Sequence, residues 1–489
     1  MAIQFLLVSG RHKLWDDVFL RGKIAINEIK NFKGGKYIQT IQEEFLEEYF
    51  NAKNLIIPKG YNFRIKGKIQ EPNLMQRLIA SRLVKEKRIG NFSGTGAGKT
   101  LSAILGSRII KSRLTIITCP NSVVDNWKKN ILDIYPDSIV ATKEINKEIL
   151  NSRSNRFLIF NYEYFQQEDS NNKIDQILSL QNIDMIIIDE IHYTKQRVAE
   201  NISKRKENIK NLIVEAGKLN KDLRVVGMSA TPVINNLFEG RTMIELISGR
   251  EHDDLEVKPN IPNCMKIYQS LSICGTRWMP KYNIQFSQKE IEIDSSHYLD
   301  EIREKVSKRD LLKLEQILTK ARLPIILNNL EPKTLIYTHY IEGIDKILRE
   351  AIEQSGMSVG MYTGQDKTGL DNFLNGNLDV LIGTSAIGTG VDGLQHVSKK
   401  LIVNILPWTN AEFEQLKGRV FRQGQTKPVE LIIPVTTMNI NGEIKSWCKD
   451  KLARIDYKKS IADAAVDGII PEEHFRSEHQ VLNDLIKWI

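Results

Sequence analysis

The stretch NFSGTGAGKT, residues 91–100, decides how the rest of the chain is read. It follows the short apolar run RIGNF and precedes LSAILGSRII, where Leu101, Ile104, Leu105 and Ile109 recur at helical spacing. Strand, glycine-rich loop and helix form the context that a phosphate-binding loop requires. Glycines let backbone N–H groups approach a phosphate, and the helix N-terminus adds the positive end of its dipole. Gly96, Ala97, Gly98, Lys99 and Thr100 are therefore candidate nucleotide-binding residues. Lys99 would reach the β- and γ-phosphates of ATP, and the Thr100 hydroxyl would ligate Mg²⁺. The first glycine of the pattern GxxxxGKS or GxxxxGKT is replaced by Ser93. A helix-capping loop also fits these ten residues, so a second element has to decide.

That element is MIIIDEIHYTK, residues 185–195. Met185 to Ile188 read as a buried strand, and Asp189 and Glu190 fall at its carboxyl end, where open α/β sheets bind their ligands. Adjacent carboxylates suit a division of labour in which Asp189 holds Mg²⁺ and Glu190 takes a proton from the attacking water. An acidic turn ending a strand is the plainer alternative. A phosphate loop followed about ninety residues later by such a strand is a nucleotide-hydrolysis constellation.

Outward from these elements, β-branched runs alternate with helical patterns, the signature of parallel sheets covered by helices. One series comprises RIGNF, RLTIITC, RFLIFNY, DMIIIDE and LRVVGMSAT; the other comprises KTLIYTHY, SVGMYT, LDVLIGT, KKLIVNIL and VELIIPV. The expected fold is α/β with two lobes. Residues 1–70 read as a small N-terminal module, 71–245 as the first, ATP-binding lobe, and 246–330 as an insertion and helical linker. Residues 331–440 read as the second lobe and 441–489 as a helical brace packed across it.

The motif order from about residue 72 to 435 resembles that of superfamily 2 helicases and translocases, which implies tandem RecA-like lobes and ATP hydrolysis. Gln76 stands 23 residues before Lys99, as does the adenine-reading glutamine of that superfamily. DEIH matches its second motif, with His192 as a coupling residue, and SATP (Ser229 to Pro232) its third, with Ser229 and Thr231 coupling nucleotide state to lobe movement. TCPNSVVDNWKKN, with Trp127, and LPWTNAEFEQLKGRVFRQGQ resemble the SWI/SNF-like branch of double-stranded DNA translocases. The second segment supplies Trp408, Gln415, Arg419, Arg422 and Gln425. GTSAIGTGVDGLQ resembles the fifth motif; there Thr384 would contact a nucleic-acid phosphate, while Gly390 and Asp392 would face the nucleotide. Asp392 stands where that branch usually has asparagine, a departure toward the wider superfamily. Arg419 and Arg422, three apart on a helix, suit the charge that develops on a transferring phosphoryl group, because a guanidinium is planar and permanently charged. Trp408 is a candidate nucleic-acid contact, and Gln415 a coupling residue.

Composition agrees with this reading. Sixty-nine basic against 60 acidic residues give a net charge of +9, a modest excess that favours a polyanionic partner. Four scattered cysteines without CxxC spacing suggest neither a zinc site nor a disulfide framework. No apolar run is long enough for a membrane span, so a cytoplasmic protein is expected, of bacterial, phage or viral origin by its compact length. The leading expectation is an ATP-dependent translocase on duplex or branched DNA. A strand-separating DNA or RNA helicase and an ATP-gated adaptor working with a protein partner are the alternatives.

Overall fold

The computed structural model describes the chain apart from residues 1–2, 4–5, 8–10, 66, 146–148, 150–153, 168, 181, 195–202, 307–309, 389–390 and 471–489. The described residues form two compact units. The first gathers the chain up to Pro280 together with Ala462–Ile469, and the second runs from Lys281 to Ile461.

The first unit opens with helices Arg11–Arg21, Lys23–Asn31 and Lys36–Lys53, followed by the hairpin of β1 (Arg64–Ile65) and β2 (Lys68–Ile69). Leu14, Trp15, Val18, Ile26, Phe45 and Tyr49 form a small core that also takes in Leu78 from the next helix, Leu74–Lys85. Phe19, Leu55, Ile57, Tyr61 and Phe63 pack on the core of the main sheet. The apolar residues of the first seventy positions are thus layered onto the lobe that follows.

That sheet contains β3 (Arg88–Asn91), β4 (Leu114–Cys119), β5 (Ile139–Thr142), β6 (Arg156–Asn161), β7 (Met185–Asp189), β8 (Arg224–Met228) and β9 (Gly275–Thr276). The spatial order is β5-β6-β4-β7-β8-β3-β9, and all pairings are parallel. Parallel strands buried on both faces read as continuous apolar runs, which is why five of the seven were legible. On one face Ile89, Ile117, Ile159, Ile187 and Val226 pack against helices Leu74–Lys85, Lys99–Ile109 and Val124–Ile134. On the other, Gly227 approaches Ile247 of helix Leu237–Ser248 so closely that a β-carbon would lie 2.7 Å from it. Met228 pairs with both Asp189 and Asn91, so the loops after β3, β7 and β8 leave the sheet at one level.

The second unit has its own parallel sheet in the order β10-β15-β14-β11-β13-β12, with β16 antiparallel on β15. The strands are β10 (Phe286–Asp294), β11 (Thr334–Tyr337), β12 (Val359–Tyr362), β13 (Val380–Gly383), β14 (Lys400–Val403), β15 (Val429–Ile440) and β16 (Glu443–Lys445). Ile336, Ile382, Ile402 and Ile432 face helices Leu311–Asn328 and Ile344–Gln354. Leu335, Leu381, Leu401 and Leu431 face helices Asn410–Val420 and Trp447–Ala462. Both units are α/β, as the alternation predicts, and RecA-like, as the family resemblance implies.

Two parts of the stretch 246–330 belong to the sheets, which its polar composition conceals. Strand β9 extends the first sheet, and β10 forms the edge of the second by pairing along its whole length with β15. Among the described residues no helix is long and apolar enough to cross a membrane.

Candidate active site

The phosphate loop is built by β3, the turn after it and the first residues of helix Lys99–Ile109. Gly98 has φ 82°, so the backbone favours glycine, and a β-carbon there would lie 2.2 Å from Gln76 Nε2 and displace that amide. Lys99 opens the helix and donates from Nζ to the carbonyls of Ser93 (3.0 Å) and Gly94 (3.3 Å). Gly96 adopts φ 77°, Ala97 is buried, and Thr100 is half-buried behind Lys99.

Ser93 has a structural reason. Its hydroxyl accepts from the backbone N–H of Trp278 (3.2 Å), while Phe92 N donates to Thr276 O (2.8 Å) and Gly94 N to Trp278 O (2.9 Å). The start of the loop is therefore strung along the segment that continues β9, and glycine at 93 would lose one of these ties.

Gln76 forms a capping box with Asn73: its Oε1 accepts from Asn73 N, and its N–H donates to Asn73 Oδ1. Its Nε2 donates to Gly98 O (3.2 Å), which places the expected adenine reader directly against the phosphate loop.

Asp189 ends β7 behind the fully buried Ile186 to Ile188. Its Oδ2 accepts from Trp127 Nε1 (2.7 Å), and its Oδ1 from Glu190 N (3.0 Å). Burial, reinforced by the neighbouring Glu190 charge, pushes its carboxyl up to about 6; the Trp127 bond and Lys99 pull the other way. Glu190 has φ 50°, a left-handed conformation that costs a non-glycine residue energy and gathers at functional sites. The Tyr162 hydroxyl pins this turn by donating to Asp189 O (2.7 Å) and more weakly to Glu190 O (3.3 Å). Tyr162 and Phe165 are fully buried, so the aromatic run NYEYF serves the core and the site's backbone.

His192 joins the paired carboxylates to the loop after β8. Its Nδ1 lies 3.2 Å from Glu190 Oε2 and 2.9 Å from Ser229 Oγ, and that hydroxyl accepts from Thr231 N (3.0 Å). The backbone N–H of Ser229 donates to Asn91 O beside the phosphate loop (3.1 Å). The first unit thus brings together Gln76, the loop 96–100, Asp189, Glu190, His192, Ser229 and Thr231.

Trp127, Tyr162 and Asn91 carry site geometry that the sequence did not assign. Only Trp127 left a signal, its place in the tryptophan segment. Trp127→Phe is expected to move the acidic limb of the kcat/KM profile for ATP to higher pH, because the donor that favours ionised Asp189 is gone. A pH series across 5 to 9 reads this directly; an unmoved limb with a lowered thermal midpoint would make the indole mere packing.

In the second unit, Arg419 on helix Asn410–Val420 donates to Gly388 O (2.6 Å) and Val391 O (2.7 Å). Arg422 Nη1 lies 3.2 Å from Asp392 Oδ1, which also accepts from Gly393 N (3.0 Å). Partial desolvation opposes ionisation of the largely exposed Asp392, but Arg422 and hydrogen bonds from Gly393 and Gln395 outweigh it and hold the carboxyl below its usual range. A β-carbon on Gly388 would sit 3.9 Å from Gln415 Oε1, so Gln415 lies beside the same loop. Thr384 is half-buried just after β13, its N–H on Tyr362 O (3.3 Å). Gly390 lies outside the described residues. Trp408 is engaged within its own unit: Nε1 donates to Tyr340 OH (3.0 Å), the ring meets Trp447 edge-on, and Lys451 Nζ lies 4.4 Å above it.

A phosphate loop, paired strand-end carboxylates and a serine–histidine link, on the first of two RecA-like lobes, define a P-loop ATP hydrolase core. The family model of the type III restriction enzyme res subunit matches residues 63–234, and that of the helicase conserved C-terminal domain matches residues 313–424. The chain belongs to the superfamily 2 helicases. It is 20% identical over 491 residues to the uncharacterized ATP-dependent helicase YqhH of Bacillus subtilis (strain 168), covering 84% of this chain and 83% of that protein. It is 29% identical over 189 residues to putative helicase 7 of Sulfolobus islandicus filamentous virus (isolate Iceland/Hveragerdi), covering 36% of this chain and only 28% of the viral protein. Among solved structures, the Pyrococcus furiosus Hef helicase domain aligns with TM-score 0.45 at 13% identity, over 74% of this chain and 94% of that one.

Proposed function

We propose that the protein is a DNA-dependent ATPase that moves along, or remodels, duplex or branched DNA. The observation that carries this reading is the chain of contacts Glu190–His192–Ser229–Thr231, in which Glu190 Oε2 lies at an ion-pair distance of 3.2 Å from His192 Nδ1 and hydrogen bonds continue from His192 to Ser229 and Thr231. It ties the group that would activate water to a loop on another strand, so a change at the γ-phosphate is felt by backbone outside the pocket. Hydrolysis alone needs no such link, whereas a motor does.

In this reading Lys99 leaves the carbonyls of Ser93 and Gly94 for the phosphates, and the N-terminus of its helix receives their charge. The paired carboxylates fit a divalent cation: Asp189 is half-buried, its carboxyl is raised by desolvation and by Glu190, and a cation relieves both. Asp189 and Thr100 would hold Mg²⁺, which supplies charge neutralisation on the phosphates. Glu190 takes the proton of the attacking water, and Arg419 and Arg422 of the second unit serve the phosphoryl transfer. Thr384 follows β13 where a backbone phosphate of DNA would be held.

Net charge of +9 and the helicase names of the relatives favour nucleic acid as the polyanion. Phosphate contacts need no base reading and weaken with salt. Steady-state ATP hydrolysis should rise manyfold with duplex or forked DNA, less with single strands or RNA, and the stimulation should fall steeply as salt is raised. Turnover indifferent to every nucleic acid would overturn the DNA reading and point to a protein-gated ATPase.

A further inference from the structure

The phosphate loop and the SATP loop are held together by a residue that belongs to neither loop. Arg277, just beyond β9, donates from Nη1 to Phe92 O (2.7 Å) at the entrance of the phosphate loop and to Ala230 O (3.2 Å) in SATP. The rest of its guanidinium is gripped by Asp467, with Nε on Oδ1 and Nη2 on Oδ2 (2.9 Å). This is a bidentate ion pair, whose planar geometry fixes the direction in which the remaining N–H groups point.

Asp467 comes from 190 residues further along the chain. It ends the π-helical turn Asp463–Asp467, in the short segment Ala462–Ile469 that returns to the first unit. Ala464, Ala465 and Val466 are buried there, and the turn packs on helix Ile261–Cys274. Gly468 closes it with φ 67°, and a β-carbon would meet the Tyr268 ring at 2.9 Å. Small residues and one obligatory glycine therefore seat the segment closely enough for Asp467 to reach Arg277.

We infer that Arg277 is a positioning residue of the ATP site and that Asp467, through the returning segment, aims it. Two carbonyls on adjacent strand ends, one before the phosphate loop and one in the loop linked to Glu190 through Ser229 and His192, are kept at a set spacing by one guanidinium. That spacing fixes the water-activating group relative to the phosphates. A residue acting in this way alters the rate of the chemical step while leaving nucleotide affinity nearly untouched. The inference rests on the ATPase reading, so wild-type and Glu190→Gln proteins accompany the test.

The experiment compares kcat, the Kd of a fluorescent ATP analogue and the thermal midpoint for the full chain carrying Arg277→Lys, Asp467→Asn, both together, and Asp467→Glu. Displacing the two loops by a fraction of an ångström should lower kcat about tenfold in Arg277→Lys and several-fold in Asp467→Asn, with Kd within about twofold. The double variant should be no slower than Arg277→Lys, since Asp467 acts only through Arg277. Asp467→Glu, which keeps the carboxylate, should recover part of the loss. Wild-type kcat in Asp467→Asn, losses that multiply in the double variant, or losses that vanish at a temperature well below the midpoint would each overturn the inference. A wild-type protein that does not turn over ATP, or a Glu190→Gln protein as fast as wild type, would instead strike the reading of the site.

Discussion

Glu190→Gln is expected to lower ATP turnover by about three orders of magnitude while ATP binding survives, the middle of the range for loss of a general base. The substitution keeps size and hydrogen bonding but leaves no group able to take a proton. Position supports the role: the residue sits at φ 50°, its backbone turn pinned by Tyr162 and its carboxylate 3.2 Å from His192. The same change should also raise the thermal midpoint of the nucleotide-free protein at neutral pH. Asp189 is pushed up to about 6 by burial and then by the Glu190 charge, against about 4 for an ordinary aspartate. A carboxyl whose folded value is raised stabilises the fold below its unfolded value, and that contribution is lost as pH rises through the folded one. Removing the Glu190 charge lessens the loss, so the variant's gain should be present at pH 7.5 and absent near pH 4. Phosphate release, nucleotide binding and melting curves at the two pH values check the three parts. Turnover within tenfold of wild type would remove Glu190 as the base.

The parts of this site that were legible in the sequence are those whose partners lie within a few residues. The loop 91–100, the pair Asp189–Glu190 and the SATP loop each combine one strand end with its own turn, so strand and helix patterns place them. Long-range pairings left no local trace: the tryptophan segment was recognisable, but nothing in it tied Trp127 to Asp189, 62 positions away, and Arg277 on Phe92 spans 185. Such pairings depend on which strands become neighbours. The fold shows the same division. Central strands buried on both faces are continuous apolar runs, whereas β10, FSQKEIEID, is an edge strand with mostly exposed side chains and reads as a polar linker. β5 and β9 were missed for a different reason: edge strands of four and two residues give too short a run to read as strands. Residues 1–70 read as a small module without showing that its core is completed by Leu78.

Arg422→Lys is expected to lower kcat by about 10³-fold, the scale of an arginine that stabilises transferring phosphoryl charge. The two arginines of the helix end are not equivalent. Arg419 is turned inward and donates to the carbonyls of Gly388 and Val391, so it shapes the loop that carries Asp392. Arg422 instead faces a carboxylate, Asp392, whose side chain is 70% exposed. An ion pair with an exposed carboxylate is weak and exchangeable, and a more highly charged phosphate can replace it. Arg422 is therefore the better candidate for the arginine that reaches the γ-phosphate during turnover, held in reserve by Asp392 until then. Lysine preserves the charge but not the planar fork that spans two phosphate oxygens. Asp392→Asn removes the restraint and keeps the arginine, so its kcat should remain within about tenfold of wild type. Arg419→Lys should loosen the loop and weaken stimulation by DNA more than it weakens unstimulated turnover. Steady-state kinetics of the three variants with and without duplex DNA distinguish these roles. Near-normal turnover in Arg422→Lys together with a thousandfold loss in Arg419→Lys would reverse the assignment, and near-normal turnover in both would take the arginines out of the chemistry altogether.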